Sequence, residues 1–278
     1  MEIGPLTARR PDVEAVIVAN EPVRLEAFPS LRLVANFGVG YDRVDVAACA
    51  ARGVSVTNTP GVLDAATADL TFALILAARR RLVEGDRLVR NGEWQGSWSE
   101  GFVGRQVTGS TLGVIGLGRI GSAVAWRAQG FDLRVLYTQR TQVETELGEY
   151  HELDDLLQES DVVTIHAPRT PETERLVDAR RLALMRDGSC LVNTARGEIV
   201  DEPALVRELV SGRLFAGLDV FAHEPNVPAE LLDLPNVVLT PHIGSATVET
   251  RATMTRLVVD NILAAEHGEP LLTPVTPA

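Results

Sequence analysis

Apolar runs in the second half of the chain each end abruptly in a glycine, polar or charged cluster, and this punctuation restricts the fold more than any other feature. Five runs occupy residues 111–117 (TLGVIGL), 133–137 (LRVLY), 161–167 (DVVTIHA), 189–195 (SCLVNTA) and 216–221 (AGLDVF), and a shorter one follows at 237–240 (VVLT). In an open parallel sheet every strand delivers its C-terminal end to the same edge, and ligands bind in the crevice there. Residues far apart in sequence are thereby predicted to converge. Helical stretches between the runs, 119–130 and 201–211 among them, complete the alternation of repeated βαβ units.

The remainder reads as a second, smaller α/β domain. VEAVIVA (13–19), LRLVANFG (31–38) and VSVTNTPG (54–61) are short strands, and VDVAACAARG (44–53) is a helix closing at Gly53. A long helical pattern over 64–90 is expected to bridge the two domains, and another over 246–267 to return the chain to the first. The resulting boundaries are 1–67 plus 247–278 for a discontinuous substrate domain and 68–246 for a dinucleotide-binding domain. Residues 91–109, rich in glycine and tryptophan, fit neither period and read as an arm or loop.

Composition removes several functions. A net charge of −12 argues against nucleic acid or an anionic membrane as partner. Without a signal-like segment or a bilayer-length apolar stretch, the expected location is cytoplasmic. Cys49 and Cys190 are isolated and no histidine cluster has ligand spacing, so neither disulfide nor metal site is expected. All 26 basic residues are arginine. Lysine Schiff-base chemistry and a P-loop lysine are therefore excluded, and any anion must be held by guanidinium, backbone amides or helix ends.

GLGRIG (116–121) follows a strand and opens a helix. Gly116 permits the tight turn, Gly118 lets backbone approach a pyrophosphate, Gly121 allows close helix–strand packing, and the amides of Arg119 and Ile120 face the phosphates. The end of the next strand then discriminates between cofactors. NAD-preferring sites place Asp or Glu there for the ribose 2′-hydroxyl. Here the chain reads Thr138-Gln139-Arg140-Thr141, whose two hydroxyls and guanidinium suit a 2′-phosphate. NADPH is the preferred cofactor on this reading, with NADH as the alternative.

NTARGEIVD (193–201), LDVFAHEP (218–225) and TPHIGSAT (240–247), together with GLGRIG and NTPGVL (58–63), resemble the D-isomer specific 2-hydroxyacid dehydrogenase family. The resemblance runs through nearly the whole chain and is closest to NADPH-dependent glyoxylate and hydroxypyruvate reductases. It implies an α/β fold with a doubly wound parallel-sheet (Rossmann) cofactor domain and a smaller flavodoxin-like substrate domain. It also implies that Arg196 binds the carboxylate and carbonyl oxygen of a small 2-oxo acid, that His242 is the general acid, and that Glu224 partners the imidazole. These roles have a physical basis. A guanidinium fork suits a carboxylate and polarises the adjacent ketone, histidine carries an available proton near neutral pH, and a neighbouring carboxylate favours imidazolium.

The same resemblance assigns the substrate carboxylate to the amides of Val39 and Gly40 in NFGVGYD (36–42). It places Thr67, Thr194, Asp219, Gly244 and Ser245 around the nicotinamide or its ribose, and Pro168 and Thr170 beside the adenosine. Trp94 and Trp98 in the 91–109 arm imply a homodimer. Family members carry roughly 35 to 45 further residues before the segment that starts here at Val13, about a strand and a helix, so the substrate domain is expected to be N-terminally shortened. Two other readings stay open: an NAD-linked phosphoglycerate, formate or phosphite dehydrogenase of the same superfamily, and a non-catalytic dinucleotide-sensing protein like the corepressors that share this fold.

Overall fold

A computed structural model describes residues 10–96 and 102–276. The elements run β1 (Ala15–Val18), β2 (Leu33–Asn36), α1 (Val46–Ala51), β3 (Ser55–Thr57), α2 (Asp64–Arg79), α3 (Leu82–Arg90), β4 (Thr111–Ile115), α4 (Arg119–Ala128) and β5 (Arg134–Thr138). They continue with β6 (Glu149–Tyr150), α5 (Leu153–Glu159), β7 (Val162–Ile165), α6 (Ala179–Leu184), β8 (Cys190–Asn193), α7 (Glu202–Val210), β9 (Phe215–Leu218), β10 (Val237–Leu239) and α8 (Val248–His267). The chain forms two compact units, one of Met1–Asp64 with Ser245–Ala278, the other Ala65–Gly244. The fold is the expected α/β arrangement of parallel sheets and helices.

In the larger unit seven strands lie in the order β10-β9-β8-β7-β4-β5-β6, every pair parallel. Burial on both faces explains why the strand segments are apolar without alternation. Ile115, Leu136, Val163, Ile165, Leu191 and Leu218 belong to one cluster with Leu156, Leu182 and Leu205 of α5, α6 and α7. Leu112, Val114, Val135, Tyr137, Val162 and Val192 belong to the other, with Phe72 and Ile75 of α2 and Val124 of α4. The order reverses at β4, which pairs with β5 on one side and β7 on the other. Such a reversal opens a crevice beyond the strand ends.

The smaller unit is a three-stranded parallel sheet, β1-β2-β3. Val16, Val18, Val34 and Val56 pack on one side with Cys49 of α1, while Leu33 and Ala35 pack on the other against Val258 of α8. Helix α8 closes at Gly268 in the left-handed conformation, φ 71°.

One sequence expectation is corrected. The 64–90 segment is two helices rather than one, because the Arg79 carbonyl accepts the Arg105 amide at 2.7 Å instead of continuing the helical ladder. Arg81 turns left-handed at φ 53°, with its guanidinium against Glu84 at 2.7 Å and over the Phe102 ring at 4.6 Å. Segment 102–107 thus acts as the brace that ends α2. Trp94 is exposed, and Trp98 lies outside the described residues. No helix among the described residues is long and apolar enough to cross a membrane.

Candidate active site

The crevice edge of the larger unit collects the tails of β4, β5, β7, β8, β9 and β10. Three neighbouring tails carry the predicted acid–base groups. His242 Nδ1 and Glu224 Oε2 are 2.8 Å apart, and the other Glu224 oxygen accepts the Phe221 amide at 3.1 Å. The imidazole is half-exposed whereas the carboxylate is more enclosed, with side-chain exposures of 50% and 28%. Burial pushes the Glu224 carboxyl up. The hydrogen bonds from His242 and Phe221 outweigh that effect, aided by the charges of His242 and Arg196, and hold it below the usual carboxylate range.

His242 occupies the left-handed region at φ 52°, which costs a non-glycine residue roughly 1–2 kcal/mol. Asp219 holds it there. The Asp219 carbonyl accepts the His242 amide at 2.9 Å, Oδ1 accepts Thr240 Oγ1 at 2.6 Å and the Ile243 amide at 2.8 Å, and Oδ2 accepts the Gly244 amide at 2.9 Å. Burial of this 1%-exposed residue raises its carboxyl despite those donors. Strain of this kind persists where surrounding bonds over-determine the backbone. Gly244 O in turn accepts Thr67 Oγ1 of α2 at 3.3 Å.

Arg196 is set by a turn that the sequence reading overlooked. Asn193, 1% exposed at the end of β8, accepts the Ala195 amide at 3.0 Å and donates to the Arg196 carbonyl at 2.8 Å. Gly197 then lets this turn lie on the tail of β9, because a Cβ there would overlap the Phe221 carbonyl carbon and the Ala222 amide nitrogen. Glu202, at the start of α7, accepts that same Ala222 amide at 2.9 Å. A polar asparagine ending an apolar run was the available signal for Asn193; Glu202 gave none. Thr194 Oγ1 lies 3.1 Å from Thr71 Oγ1, a buried hydroxyl of α2.

The glycine loop separates packing from ligand requirements. Gly116 has φ 94°, and a Cβ on it would lie 2.8 Å from the Ala167 amide nitrogen and 2.9 Å from His166 carbon. A Cβ on Gly121 would overlap the Gly116 carbonyl. Both glycines are explained by the protein alone. Gly118 is not: its φ is −78°, and a side chain there would meet nothing within 4 Å. Open space in front of a helix N-terminus, where Arg119 and Ile120 begin α4, is the cradle a pyrophosphate requires. The site therefore fits a dinucleotide.

Thr138 at the end of β5 is buried, while Arg140 and Thr141 beyond it are exposed. Pro168 and Thr170 lie in the loop after β7, where Thr173 Oγ1 donates to the Pro168 carbonyl at 2.7 Å and accepts the Thr170 amide at 2.8 Å. Val39 and Gly40 belong to the smaller unit, as does Ser245, whose carbonyl accepts the Thr247 amide at 3.0 Å. No group of three or more His, Cys, Asp and Glu side chains among the described residues could hold a metal ion.

Residues 72–244 match the family model described as "D-isomer specific 2-hydroxyacid dehydrogenase, NAD binding domain". The chain belongs to that family. Membership makes this dehydrogenase an oxidoreductase acting on CH–OH donors, with an NAD(P)-binding domain. It is 48% identical over 271 residues to a glyoxylate reductase of Pyrococcus furiosus, covering 93% of this chain and 81% of that one. Among solved structures it resembles a Thermus thermophilus protein (TM-score 0.90, 44% identity, 95% of this chain and 86% of that chain). It also resembles the NADPH-dependent glyoxylate/hydroxypyruvate reductase of Sinorhizobium meliloti, solved with NADP and malonate (TM-score 0.89, 42% identity, 95% and 84%).

Proposed function

We propose that this dehydrogenase uses NADPH to reduce a small 2-oxo acid, glyoxylate to achiral glycolate or hydroxypyruvate to the D-2-hydroxy acid. The observation that carries the reading is the 2.8 Å contact between His242, beyond β10, and Glu224, beyond β9, the strand next to the β8 tail that carries Arg196. The relatives named for glyoxylate reduction extend it to a small 2-oxo acid. The cofactor supplies hydride when bound. Gly118 and the first amides of α4 hold its pyrophosphate, Thr138, Arg140 and Thr141 take the 2′-phosphate, and Pro168 and Thr170 flank the adenosine. Thr67, Thr194, Asp219, Gly244 and Ser245 line the nicotinamide side.

The chain's own groups perform the remaining work. Arg196 pairs with the substrate carboxylate and polarises the ketone, which leaves C2 electron-poor. The amides of Val39 and Gly40 take the carboxylate as well. His242 releases its proton to the oxygen that becomes the alcohol, and Glu224, bonded to Nδ1, orients the ring. Its depressed pKa keeps Glu224 ionised across the neutral range.

We also assign the protein to a homodimer. What supports it is that Leu82, Val89, Trp94 and Val103, on and beside α3, are 55–67% exposed.

Absorbance of NADPH followed with glyoxylate and then hydroxypyruvate tests the function, with NADH and Arg140→Asp run in parallel. Turnover favouring NADPH, and a preference lost in the variant, are expected. Absence of turnover with every small 2-oxo acid overturns the reading, and an NADPH preference untouched by Arg140→Asp overturns the cofactor assignment alone.

A further inference from the structure

The loop after β2 is organised by two side chains to which no role in the reaction has been attached. Asn36, fully buried at the end of β2, donates through Nδ2 to the Gly38 carbonyl at 3.0 Å and the Gly40 carbonyl at 2.9 Å, and its Oδ1 accepts the Asn20 amide at 2.8 Å. Asn58, just after β3, donates through Nδ2 to the Val39 carbonyl at 3.0 Å. The Gly38 carbonyl accepts a second bond, from the Thr59 amide, at 3.0 Å. Three successive carbonyls are therefore held by fixed donors.

Peptide planarity turns this into a statement about the amides. In a trans peptide the N–H points opposite to the C=O of the same plane. Anchoring the Gly38 carbonyl on Asn36 directs the Val39 N–H away from that side chain, and anchoring the Val39 carbonyl on Asn58 does the same for the Gly40 N–H. Neither N–H donates to any group among the described residues. Two successive amides oriented by their carbonyls and left without partners are donors prepared for an anion. An amide side chain is suited to this task as a carboxylate is not, since Asn36 must donate to two carbonyls and accept one N–H at once.

We propose that Asn36 and Asn58 are positioning residues for recognition of the substrate carboxylate: by fixing the Gly38–Val39 and Val39–Gly40 peptide planes they set the affinity for 2-oxo acids over neutral carbonyl compounds. The inference rests on the reading above, in which the Val39 and Gly40 amides take the carboxylate. Neither asparagine touches the substrate.

The test compares wild type with Asn36→Asp, which sets oxygen against two carbonyl oxygens at nearly constant shape, and with Asn58→Ala, which releases only the Val39 carbonyl. KM and kcat for glyoxylate, kcat/KM for glycolaldehyde, the inhibition constant of oxamate and the NADPH Kd are measured for all three. Glycolaldehyde keeps the two-carbon frame without the carboxylate. Expected are a rise of about tenfold or more in glyoxylate KM and oxamate inhibition constant for Asn36→Asp, and about threefold for Asn58→Ala. Glycolaldehyde kcat/KM and NADPH Kd should stay within about twofold of wild type.

An unchanged oxamate constant in both variants, or a glycolaldehyde loss equal to the glyoxylate loss, overturns the inference while leaving the proposed function standing. If Asn36→Asp fails to fold, Asn58→Ala alone decides by the same comparison. A wild-type enzyme that neither reduces glyoxylate nor binds oxamate overturns the proposed function, and the inference with it.

Discussion

Gly116→Ala and Gly118→Ala, two substitutions of the same chemistry two residues apart, should produce opposite phenotypes. Position 116 combines a backbone at φ 94° with a prospective methyl group 2.8 Å from the Ala167 amide nitrogen, 2.9 Å from His166 carbon and 3.0 Å from His166 oxygen. Strained backbone of this type costs about 1–3 kcal/mol, and overpacking against a strand tail costs about as much again. A loss of about 3 kcal/mol is expected, which lowers Tm by roughly 6–12 °C in a domain of this size. At position 118 the backbone is ordinary and the methyl group meets no protein atom. The reduced chain entropy of alanine and its poorer capping of α4 are each worth about 0.5–1 kcal/mol and oppose one another, leaving stability nearly unchanged. The methyl group would instead occupy the place of the pyrophosphate, and NADPH Kd should rise about tenfold or more, at least about 1.4 kcal/mol. Thermal melts and cofactor titrations on the three proteins separate the cases. If Gly118→Ala melts as early as Gly116→Ala while binding NADPH normally, Gly118 is a packing glycine and the cradle argument fails.

Other expectations follow from the same geometry. Asp219→Asn sets an NH2 group against a backbone N–H whichever way the amide turns, Ile243 on one side or Gly244 on the other, so a loss of about 1–3 kcal/mol in urea unfolding is expected with a matching fall in kcat; wild-type values for both would refute the role given to Asp219. His166 is held down to about 3 from 6.5 by desolvation. Its neutral form favours the folded state fully above pH 6.5, and that contribution, on the order of a few kcal/mol, is lost as pH falls from 6.5 toward 3. A His166→Gln variant should flatten the stability profile in that window, and an unchanged slope would count against the assignment. Cys190, fully buried on β8, is pushed up to about 12, so native protein at pH 8 should leave it unlabelled by iodoacetamide and unfolded protein should not; rapid native labelling would contradict the burial.

Much of the larger unit was legible because its signals are local. Continuous apolar runs mark strands covered on both faces, and the glycine fingerprint marks a strand–turn–helix corner by spacing contained within six residues. The acid–base set was legible through motifs, since Arg196, Glu224 and His242 each stand just beyond a strand. The break in the 64–90 helix was not legible: the Arg79 carbonyl is captured by Arg105, 26 positions on, and no local period records a hydrogen bond from so distant an amide. The roles of Glu202 and Asn58 were hidden for the same reason, since their backbone partners lie 20 and 19 positions away, whereas Asn36 and Asn193 bond backbone two to four residues on, and what the sequence did not give was the turn each side chain closes.

The sequence by itself determined the order of the elements, the family and the chemical identity of the groups at the strand ends, because periodicity, glycine placement and side-chain chemistry are properties of short segments. Tertiary structure alone decided which glycines serve packing and which face open space, why His242 adopts a left-handed backbone, and which carbonyls the buried asparagines hold. Those outcomes depend on backbone angles and side-chain directions that no hydropathy pattern records, and on contacts such as Gly116 with His166 and His242 with Asp219 that exist only when the strands have packed.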